Sequence, residues 1–577
     1  MTANSKNTKE NTGKSLVWMS VVYLLGLFIG AIDTGIVTPA RPIIQAQLGV
    51  DASLGIWMIT IYTLTYAAII PIAGKLADTR GRKPIYLLSI ALFGTGSLIC
   101  ALSAKVGSFA VLMCGRVIQA AGAGGIMPIA TAEFGTSFPE EKRGMALGLV
   151  GAVYGIANVL GASVGSAVLS IAGTQNWQWI FLINVPICLF IVISGIKVLP
   201  NNKVEHTAAL DKMGTLLMTV IILSLLYGLK NLDFFNFAQS FITLKVWPFI
   251  LLSAILIPLF IRVEKKAEEP IFHIEYASNP QIRITLILGI VVGCSMMGMI
   301  FIPQFSENCL RLPSGSGGYF VIILGICSGG ASMMSGKMID KRGVKPVMAL
   351  GFIISIIGCL YLGFVAVRFV NVVNVVISLI VIGTGLGLVM GTPLNYMMLD
   401  NTSDEESNSA LATLSLVRSI GTAIAPAIMI GFVVHAAAGL QDGLMEYIPS
   451  MEMPAMPYTE EMDGTMPSDM MSMDMTSGMG GGAFEMPQDA IDRLQSSDVT
   501  TIVDDTVYLV DCMFEQMGVD AESYEDSIRA NSPAIEDYYQ KTINIGYRNM
   551  YLFVATVNVL GLILTMFYKE KKNTGKK

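Results

Sequence analysis

The chain has 577 residues, of which 53% are hydrophobic and 14% are charged. An average soluble domain carries roughly 25% charged residues, so this composition excludes an ordinary soluble protein and indicates a polytopic membrane protein. Eight cysteines and three histidines, none of them clustered, exclude a zinc or disulfide framework as the organising principle.

The net charge of −6 is unevenly distributed along the chain. Residues 437–547 hold 22 acidic and three basic residues, so the remainder of the chain is basic. Because cytoplasmic loops of membrane proteins carry an excess of lysine and arginine, we expect the acidic block and the basic loops on opposite sides of the bilayer. The basic residues are scattered through short loops and form no stripe, so nucleic acid is not an expected partner.

Apolar runs of about 20 residues predict fourteen membrane-spanning helices, which we number spans 1 to 14. They cover residues 17–40, 52–73, 85–104, 108–131, 144–172, 178–198, 212–231, 242–263, 282–304, 317–335, 346–367, 372–397, 408–435 and 548–568. Basic residues cluster in the loops after spans 2, 4, 8 and 10 and after span 14. With fourteen spans these loops share one side, so both termini are predicted in the cytoplasm and residues 437–547 outside a cell membrane.

A sequence repeat predicts two related halves. Residues Gly74–Pro84, between spans 2 and 3, recur as Gly336–Pro346, between spans 10 and 11, with seven of eleven positions identical. The glycines allow a tight turn, and the aspartates can pair with the following cations or with helix ends. A single copy could act only as a positively charged loop that sets orientation; two equivalent copies are typical of transporters. The expected cytoplasmic gate residues are Gly74, Asp78, Gly81, Arg82, Gly336, Asp340, Arg342 and Gly343.

The repeated loop resembles the signature cytoplasmic motif of the major facilitator superfamily. Fourteen spans resemble the drug:proton antiporter branch of that family, in which two additional spans, here 7 and 8, link two six-span bundles. Further stretches that resemble this branch are Ala31–Val37 in span 1, Arg116–Gly122 in span 4, Trp177–Pro186 at the start of span 6 and Arg418–Gly421 in span 13.

The resemblance implies an all-α polytopic membrane protein with two pseudo-symmetric six-helix bundles and two linking spans. The predicted organisation is a cytoplasmic tail (1–16), an N-terminal bundle (17–200), two linking spans with cytoplasmic loops (201–270), five spans of a C-terminal bundle (271–436), an extracellular acidic insert (437–547), a last span (548–568) and a cytoplasmic tail (569–577). A monomer is expected.

Span 5 departs from the antiporter pattern. That pattern ends in a Gly-Pro pair followed by a Gly-Gly pair, whereas residues 161–166 read Gly-Ala-Ser-Val-Gly-Ser and lack the proline. Antiport, as opposed to uniport or symport, is therefore left open by the motif. Gly151, Gly155, Gly161 and Gly165 are expected to form one smooth face for close helix packing.

Asp33 is the carboxylate that we place well inside an apolar span, where a charge costs at least ~2.5–3.5 kcal/mol and marks a functional candidate. The resemblance implies that Asp33 binds and releases a proton; the alternative is a hydrated carboxylate at the outer mouth. Arg116 in span 4 must face a cavity or a partner, either Asp33 or a backbone carbonyl. Together they form the expected proton-coupling pair, with a purely structural clamp as the alternative for Arg116.

Two other charged residues lie within spans or at their ends. Arg418, in the first half of span 13, is expected either to line a cavity or to extend its side chain to the cytoplasmic face. Glu133 lies at the end of span 4 and is expected to be hydrated.

The acidic insert contains two different segments. Residues 445–486 hold twelve methionines in 42 positions, interleaved with proline, glycine and aspartate, so a packed structure is not expected. The runs that include Met470, Met471, Met473 and Met475 could hold a soft ion such as Cu(I), although we predict a flexible linker and no metal site. Residues 488–547 show apolar positions at helical spacing and predict a small helical cap.

The function predicted is proton-coupled export of small amphipathic or cationic compounds by alternating access. The chain has no P-loop and no nucleophile–base constellation, so it is expected to be neither an enzyme nor dependent on a cofactor, and an ion gradient must supply the energy. The alternatives are an exporter of an endogenous metabolite or lipid-like compound, a soft-metal-handling membrane protein, and a receptor that does not transport.

Overall fold

A computed structural model of the protein describes residues 2–50, 52–201, 211–267, 270, 275–312, 317–403, 405–440, 444, 501–517 and 522–570. Regular structure within these ranges is helical throughout. The methionine-rich segment 445–486, with the four candidate metal-binding methionines, lies outside the described residues.

The described helices confirm the predicted all-α polytopic membrane fold. Thirteen are long and apolar enough to cross a membrane, and a bent pair of helices supplies a fourteenth span. Spans 1 to 8 are Leu16–Ile36, Trp57–Arg80, Arg82–Val106, Phe109–Ser137, Glu140–Ala172, Trp179–Val198, Lys212–Lys230 and Trp247–Glu264. Spans 9 to 14 are Pro280–Leu310, Gly318–Arg342, Val344–Ala366, Val372–Asp400, Ser407–Ala438 and Ser532–Phe567. The first helix begins at Thr2, ahead of the apolar stretch of span 1.

Shorter helices connect or interrupt the spans. Connecting helices are Arg41–Leu48, Ala52–Gly55, Thr174–Asn176, Phe237–Phe241 and Glu275–Ser278, and two further helices, Ile502–Met517 and Glu522–Ala530, precede span 14. Span 6 consists of Trp179–Leu182 and Asn184–Val198, and span 12 consists of Val372–Met390 and Pro393–Asp400. These breaks leave backbone and side-chain polar groups inside the bundle, where they bind other side chains.

Span 5 is bent although it lacks the proline of the antiporter pattern. Its two halves, Glu141–Asn158 and Ser163–Ala172, meet at 48°. The break coincides with a Gly-Ala-Ser stretch at residues 161–163, and glycine and serine together are a recognised cause of helix kinks. The bend of this span therefore does not require the missing proline.

The sequence predicts that the four glycines of span 5 share one contact face, but in the structure they do not. A Cβ at Gly161 would lie 2.7 Å from the carbonyl oxygen of Ile32 in span 1, and Gly165 lies against the same span. Gly151 instead contacts Gly391 of span 12 and Ser332 of span 10. Ten residues are about 2.8 helical turns, so Gly151 and Gly161 point in different directions, and the bend separates them further.

The described residues fall into two compact units. The first unit lies within Met1–Ser306, Gly315–Gly431 and Arg548–Lys577, and it contains both predicted bundles. The second lies within Glu307–Ser314 and Phe432–Tyr547. The last helix begins at Ser532 rather than at the predicted residue 548, because the polar turns before the apolar stretch continue the same helix.

Polar contacts and a small apolar core hold the second unit together. Gln540 donates to the carbonyl oxygens of Asn308 and Cys309 at 3.2 and 2.7 Å, and its own oxygen accepts from Arg311 Nε at 2.9 Å. Val507 and Val510, predicted at helical spacing, are buried on the helix Ile502–Met517. The described part of the segment 488–547 is therefore helical, as its periodicity predicts.

The predicted orientation can be tested at Cys512, which is half-buried in the second unit. In a chain with its other cysteines replaced, we expect a membrane-impermeant maleimide to label Cys512 in intact cells, because residues 437–547 are predicted outside. A matched chain carrying Lys571→Cys in place of Cys512 should be labelled only after the cells are opened. Protection of Cys512 together with labelling at position 571 would reverse the orientation.

Candidate functional site

Asp33 lies at the centre of a fully buried polar cluster in the N-terminal bundle. Its Oδ2 accepts a hydrogen bond from Arg116 Nη1 at 2.8 Å, which also forms the ion pair. Its Oδ1 accepts from Gln119 Nε2 at 2.8 Å and from Asn184 Nδ2 at 3.1 Å. The carboxylate therefore has one cationic and two neutral donors, and the structure does not place it in a hydrated outer mouth.

Five spans of the bundle contribute to this cluster. Arg116 and Gln119 are three residues apart and so share one face of span 4, where Arg116 Nη1 also donates to Gln119 Oε1 at 2.7 Å. Ser97 of span 3 accepts from Gln119 Nε2 at 2.8 Å. Asn184 begins the second helix of span 6, directly after the break in that span.

Arg116 binds both partners that the sequence left as alternatives, the carboxylate of Asp33 and a backbone carbonyl. Beside Asp33, its Nε donates to the carbonyl oxygen of Met58 in span 2 at 3.2 Å. The guanidinium carbon also lies 4.1 Å from the centroid of the Tyr62 ring, a cation–π contact. The arginine is thereby held on three sides by span 1 and span 2 groups while its charge is balanced by Asp33.

Sequence reasoning missed Gln119, Asn184 and Ser97 as members of this cluster. The signal was present, since each is a polar side chain inside an apolar span and two of them lie within the stretches Arg116–Gly122 and Trp177–Pro186. What the sequence did not show is that spans 1, 3, 4 and 6 bring them to one point.

This arrangement couples the charge of Asp33 to the position of Arg116. Removing one partner of a buried ion pair leaves an uncompensated charge, which costs about 3–5 kcal/mol. Protonation of Asp33 would leave Arg116 buried with neutral acceptors alone.

A second buried ion pair, Arg82 with Glu133, corrects the expectation that Glu133 is hydrated. Glu133 is 1% exposed, and its Oε2 lies 3.0 Å from Arg82 Nη1. Arg82 also donates to Thr136 Oγ1 at 2.5 Å and to Ser407 Oγ at 2.7 Å. Ser407 begins span 13, so Arg82 joins the N-terminal bundle to a helix of the C-terminal bundle. Residues 131–135 of span 4 are all buried, which the sequence did not indicate.

The two repeated loops place their aspartates on helix N-termini of the opposite bundle. Asp78 accepts from the backbone amides of Asn408 and Ser409 at 3.2 and 2.8 Å, and also from both of their side chains. Asp340 accepts from the amides of Gly144 and Met145 at 2.9 and 3.0 Å. The amides of Asn408 and Ser409 belong to the first turn of span 13, where unpaired N–H groups and the helix dipole favour an anion. Those of Gly144 and Met145 belong to the second turn of span 5, close to the positive end of its helix dipole.

The glycines of the loops serve the same contacts. Gly74 lies against span 13, where a Cβ would come 2.9 Å from the Asn408 carbonyl oxygen, and Gly336 lies against Gly144 of span 5. Gly81 and Gly343 have φ values of 92° and 84°, which L side chains rarely adopt. Gly74 and Gly336 thus allow two helices to approach closely, and Gly81 and Gly343 form the turn into the next span.

The lysines of the two copies also bind equivalent positions. Lys83 Nζ donates to the carbonyl oxygens of Ile196 and Leu199 at the end of span 6, at 2.8 and 3.0 Å. Lys345 Nζ donates to those of Met566 and Tyr568 at the end of span 14, at 2.7 and 3.1 Å. A cation at a helix C-terminus is favourable, so each loop binds one helix end with its aspartate and another with its lysine.

The two copies differ at the buried arginine. Arg82 aligns with Val344, which is also buried, whereas the expected gate residue Arg342 aligns with Arg80, and both of these are exposed. The interior ion pair is thus a property of the first copy, and Arg342 faces solvent.

Arg418 lies inside the protein and does not extend to the cytoplasmic face. It is 7% exposed, and its Nη2 lies 3.4 Å from Met127 Sδ in span 4. The side chain therefore bridges spans of the two predicted bundles.

The fourteen helices and the paired loops define a multi-pass membrane transporter with two related halves. A family model described as Major Facilitator Superfamily matches residues 23–426, which is more than half of the chain. The protein belongs to the major facilitator superfamily, whose members are transporters of small molecules and not enzymes.

Relatives and solved structures agree with this family. The chain is 33% identical over 500 residues to the uncharacterized MFS-type transporter YfiU of Bacillus subtilis, covering 86% of this chain and 92% of YfiU. It is 29% identical over 462 residues to the multidrug transporter protein MdtP of Bacillus subtilis, covering 80% of this chain and 83% of MdtP. The proton:xylose symporter XylE has the same fold, with a TM-score of 0.51 at 13% identity over 76% of this chain and 90% of XylE.

The Arg82–Glu133 pair should behave as a unit. Arg82→Met leaves a buried carboxylate without its cation, and we expect it to lower stability by about 3–5 kcal/mol. The double variant Arg82→Met/Glu133→Gln removes both charges and should recover most of that loss. Thermal unfolding in detergent measures both effects, with Arg80→Gln, an exposed neighbour, as the control. Additive losses in the double variant would show that the two side chains do not depend on each other.

The contact of Asp78 with span 13 should set how often this end of the protein opens. Asp78→Asn removes the charge and part of the hydrogen bonding, and each charge-assisted bond contributes about 1.5–3 kcal/mol. We expect at least tenfold faster maleimide labelling of a cysteine at the buried position Thr413, slower transport, and nearly parental expression. Arg80→Gln again serves as the control. Unchanged labelling and unchanged transport would leave this loop only its role in orientation.

Proposed function

We propose that the protein is a proton-coupled exporter of small amphipathic compounds that works by alternating access in the cell membrane, with both termini in the cytoplasm. The observation that carries this proposal is the fully buried Asp33–Arg116 ion pair. A carboxylate at such a site is a functional candidate because a static structural role does not require so costly a charge.

Proton coupling follows from the dependence of the two charges on each other. With Asp33 ionised, the cluster is neutral and its donors are satisfied. With Asp33 protonated, Arg116 loses its counter-charge, so a conformation that hydrates Arg116 becomes relatively more stable. A proton that binds from one side and leaves to the other thereby favours alternate conformations in turn.

The contacts of Asp78 and Asp340 support a two-state closure at one end of the bundles. Each aspartate binds backbone amides near the N-terminus of a helix from the opposite bundle, and Arg82 adds a bond to Ser407. These polar groups can be hydrated when they separate, so the contacts can be broken and re-formed during a transport cycle. Which face is cytoplasmic follows from the charge distribution of the loops.

The range of substrates is proposed from the similarity to MdtP, which is named a multidrug transporter. Export of an endogenous metabolite is the alternative, and it would use the same proton-coupling cluster. The two are separated by whether structurally unrelated compounds compete for transport.

Asp33→Asn should abolish uphill transport and leave exchange down a gradient. A gradient of one pH unit is worth about 1.4 kcal/mol per proton, so each coupled proton supports roughly tenfold accumulation. In inverted vesicles with an imposed pH gradient, the parent chain should accumulate a transported dye, whereas the variant should only equilibrate it. Asp537→Asn, at an exposed aspartate of the second unit, is the matched control. Full pH-driven accumulation by Asp33→Asn would rule out Asp33 as the coupling group.

A further inference from the structure

Arg418 differs from the other buried arginines of the spans. Arg82 and Arg116 each form an ion pair with a carboxylate at 3.0 and 2.8 Å. Among the described residues, the Arg418 side chain makes its polar contact with the thioether sulfur of Met127. A guanidinium has five N–H donors and cannot lose its proton, and a thioether is a weak acceptor. Arg418 therefore keeps a buried positive charge and several donors that this contact does not satisfy.

The position of Arg418 is central to the two bundles. It lies eleven residues after Ser407, or about 16 Å along span 13, and reaches across to span 4. Met127 is eleven residues from Arg116 on span 4, so these two residues lie about 16 Å apart along the helix axis. Arg418 is thus a separate site that faces both halves of the transporter.

The backbone at Arg418 is fixed against span 9. Gly293 lies directly against the carbonyl oxygen of Arg418, and a Cβ at Gly293 would also come 3.2 Å from Arg418 Cγ. A side chain seated in this way cannot withdraw toward the end of span 13. The charge is held inside the protein, between span 13 and span 4.

Tyr66 of span 2 lies near this charge. The hydroxyl groups of Tyr66 in span 2 and Tyr154 in span 5 are close enough to interact electrostatically, and Tyr66 also interacts with Arg418. The rings of Tyr62 and Tyr66 are nearly parallel, with centroids 6.3 Å apart and an interplanar angle of 5°. The Tyr62 hydroxyl has no hydrogen-bond partner among the described residues. The surroundings thus combine hydroxyl donors with an aromatic surface.

We propose that Arg418 binds the anionic group of the transported molecule, a carboxylate or another singly charged oxyanion carried on an aromatic or apolar body. The proposal rests on the proposed export function and names the substrate class. An arginine recognises planar oxyanions through paired N–H donors. One negative charge would neutralise the site, whereas a cation would be repelled, so the cationic substrates predicted from the sequence are not favoured.

The test compares three dansyl compounds that differ in charge: dansylglycine (anionic), dansylamide (neutral) and dansylcadaverine (cationic). Fluorescence titration of the full-length protein in nanodiscs measures their affinities. We expect the parent chain to bind dansylglycine at least tenfold more tightly than the other two. Arg418→Gln should lower the affinity for dansylglycine at least tenfold and change the affinity for dansylamide less than threefold. Arg418→Lys keeps the charge but loses the paired N–H donors of the guanidinium, so its affinity for dansylglycine should lie between those of the parent chain and Arg418→Gln. Arg368→Gln, at an exposed arginine after span 11, is the control.

The outcomes separate a binding role from a structural one. Retained dansylamide binding shows that a variant is folded. Equal losses for all three compounds, a preference of the parent chain for dansylcadaverine, or failure of the parent chain to bind dansylglycine would each overturn the proposal. Anion-selective binding through Arg418 without any proton-driven transport would instead contradict the exporter function alone. Proton-driven transport that favours dansylcadaverine would contradict the anion site and leave the exporter function intact.

Discussion

A charge inside an apolar helix bundle must be compensated, and most of the polar architecture of this protein follows from that constraint. The cost of an uncompensated buried ion is several kcal/mol, which is comparable to the whole stability of many domains. Asp33 and Glu133 are each buried beside an arginine from another helix of the same bundle. Because compensation requires both partners, a change in the charge of either one acts on the helices that carry them.

The same constraint is met differently at the end of the bundles where the repeated loops lie. There the aspartates bind backbone amides of the opposite bundle, and the lysines bind backbone carbonyls at helix C-termini. Helix ends have unsatisfied groups by construction, so the loops use partners that exist in any helical protein. Water can replace these contacts when they separate. In the function that we propose, the contacts near the end open and re-form, and the inner pair binds the proton.

The two copies of the loop show how far internal symmetry extends. The turn glycines, the aspartates and the lysines have equivalent contacts, with spans 13 and 5 exchanged and spans 6 and 14 exchanged. The buried Arg82 has no charged counterpart, since Val344 occupies its position. In the function that we propose, the symmetric features serve closure. The asymmetric ones, with Asp33 and Arg116 in the first half and Arg418 in the second, divide the proton and substrate roles that we propose.

The fold class, the fourteen spans and the family could be read from the sequence, because hydropathy, loop charge and a repeated motif are local properties of the chain. The candidate pair Asp33 and Arg116 could be named because a charged residue within an apolar run is conspicuous. Tertiary structure alone decided that Gln119, Asn184 and Ser97 complete the cluster, that Glu133 is buried, and that the glycines of span 5 contact two different neighbours. These facts depend on how helices rotate and pack against helices distant in the chain, and no run of residues encodes that by itself. The sequence of a single span shows only that a buried charge is costly, and the packing of the bundle determines which group compensates that charge.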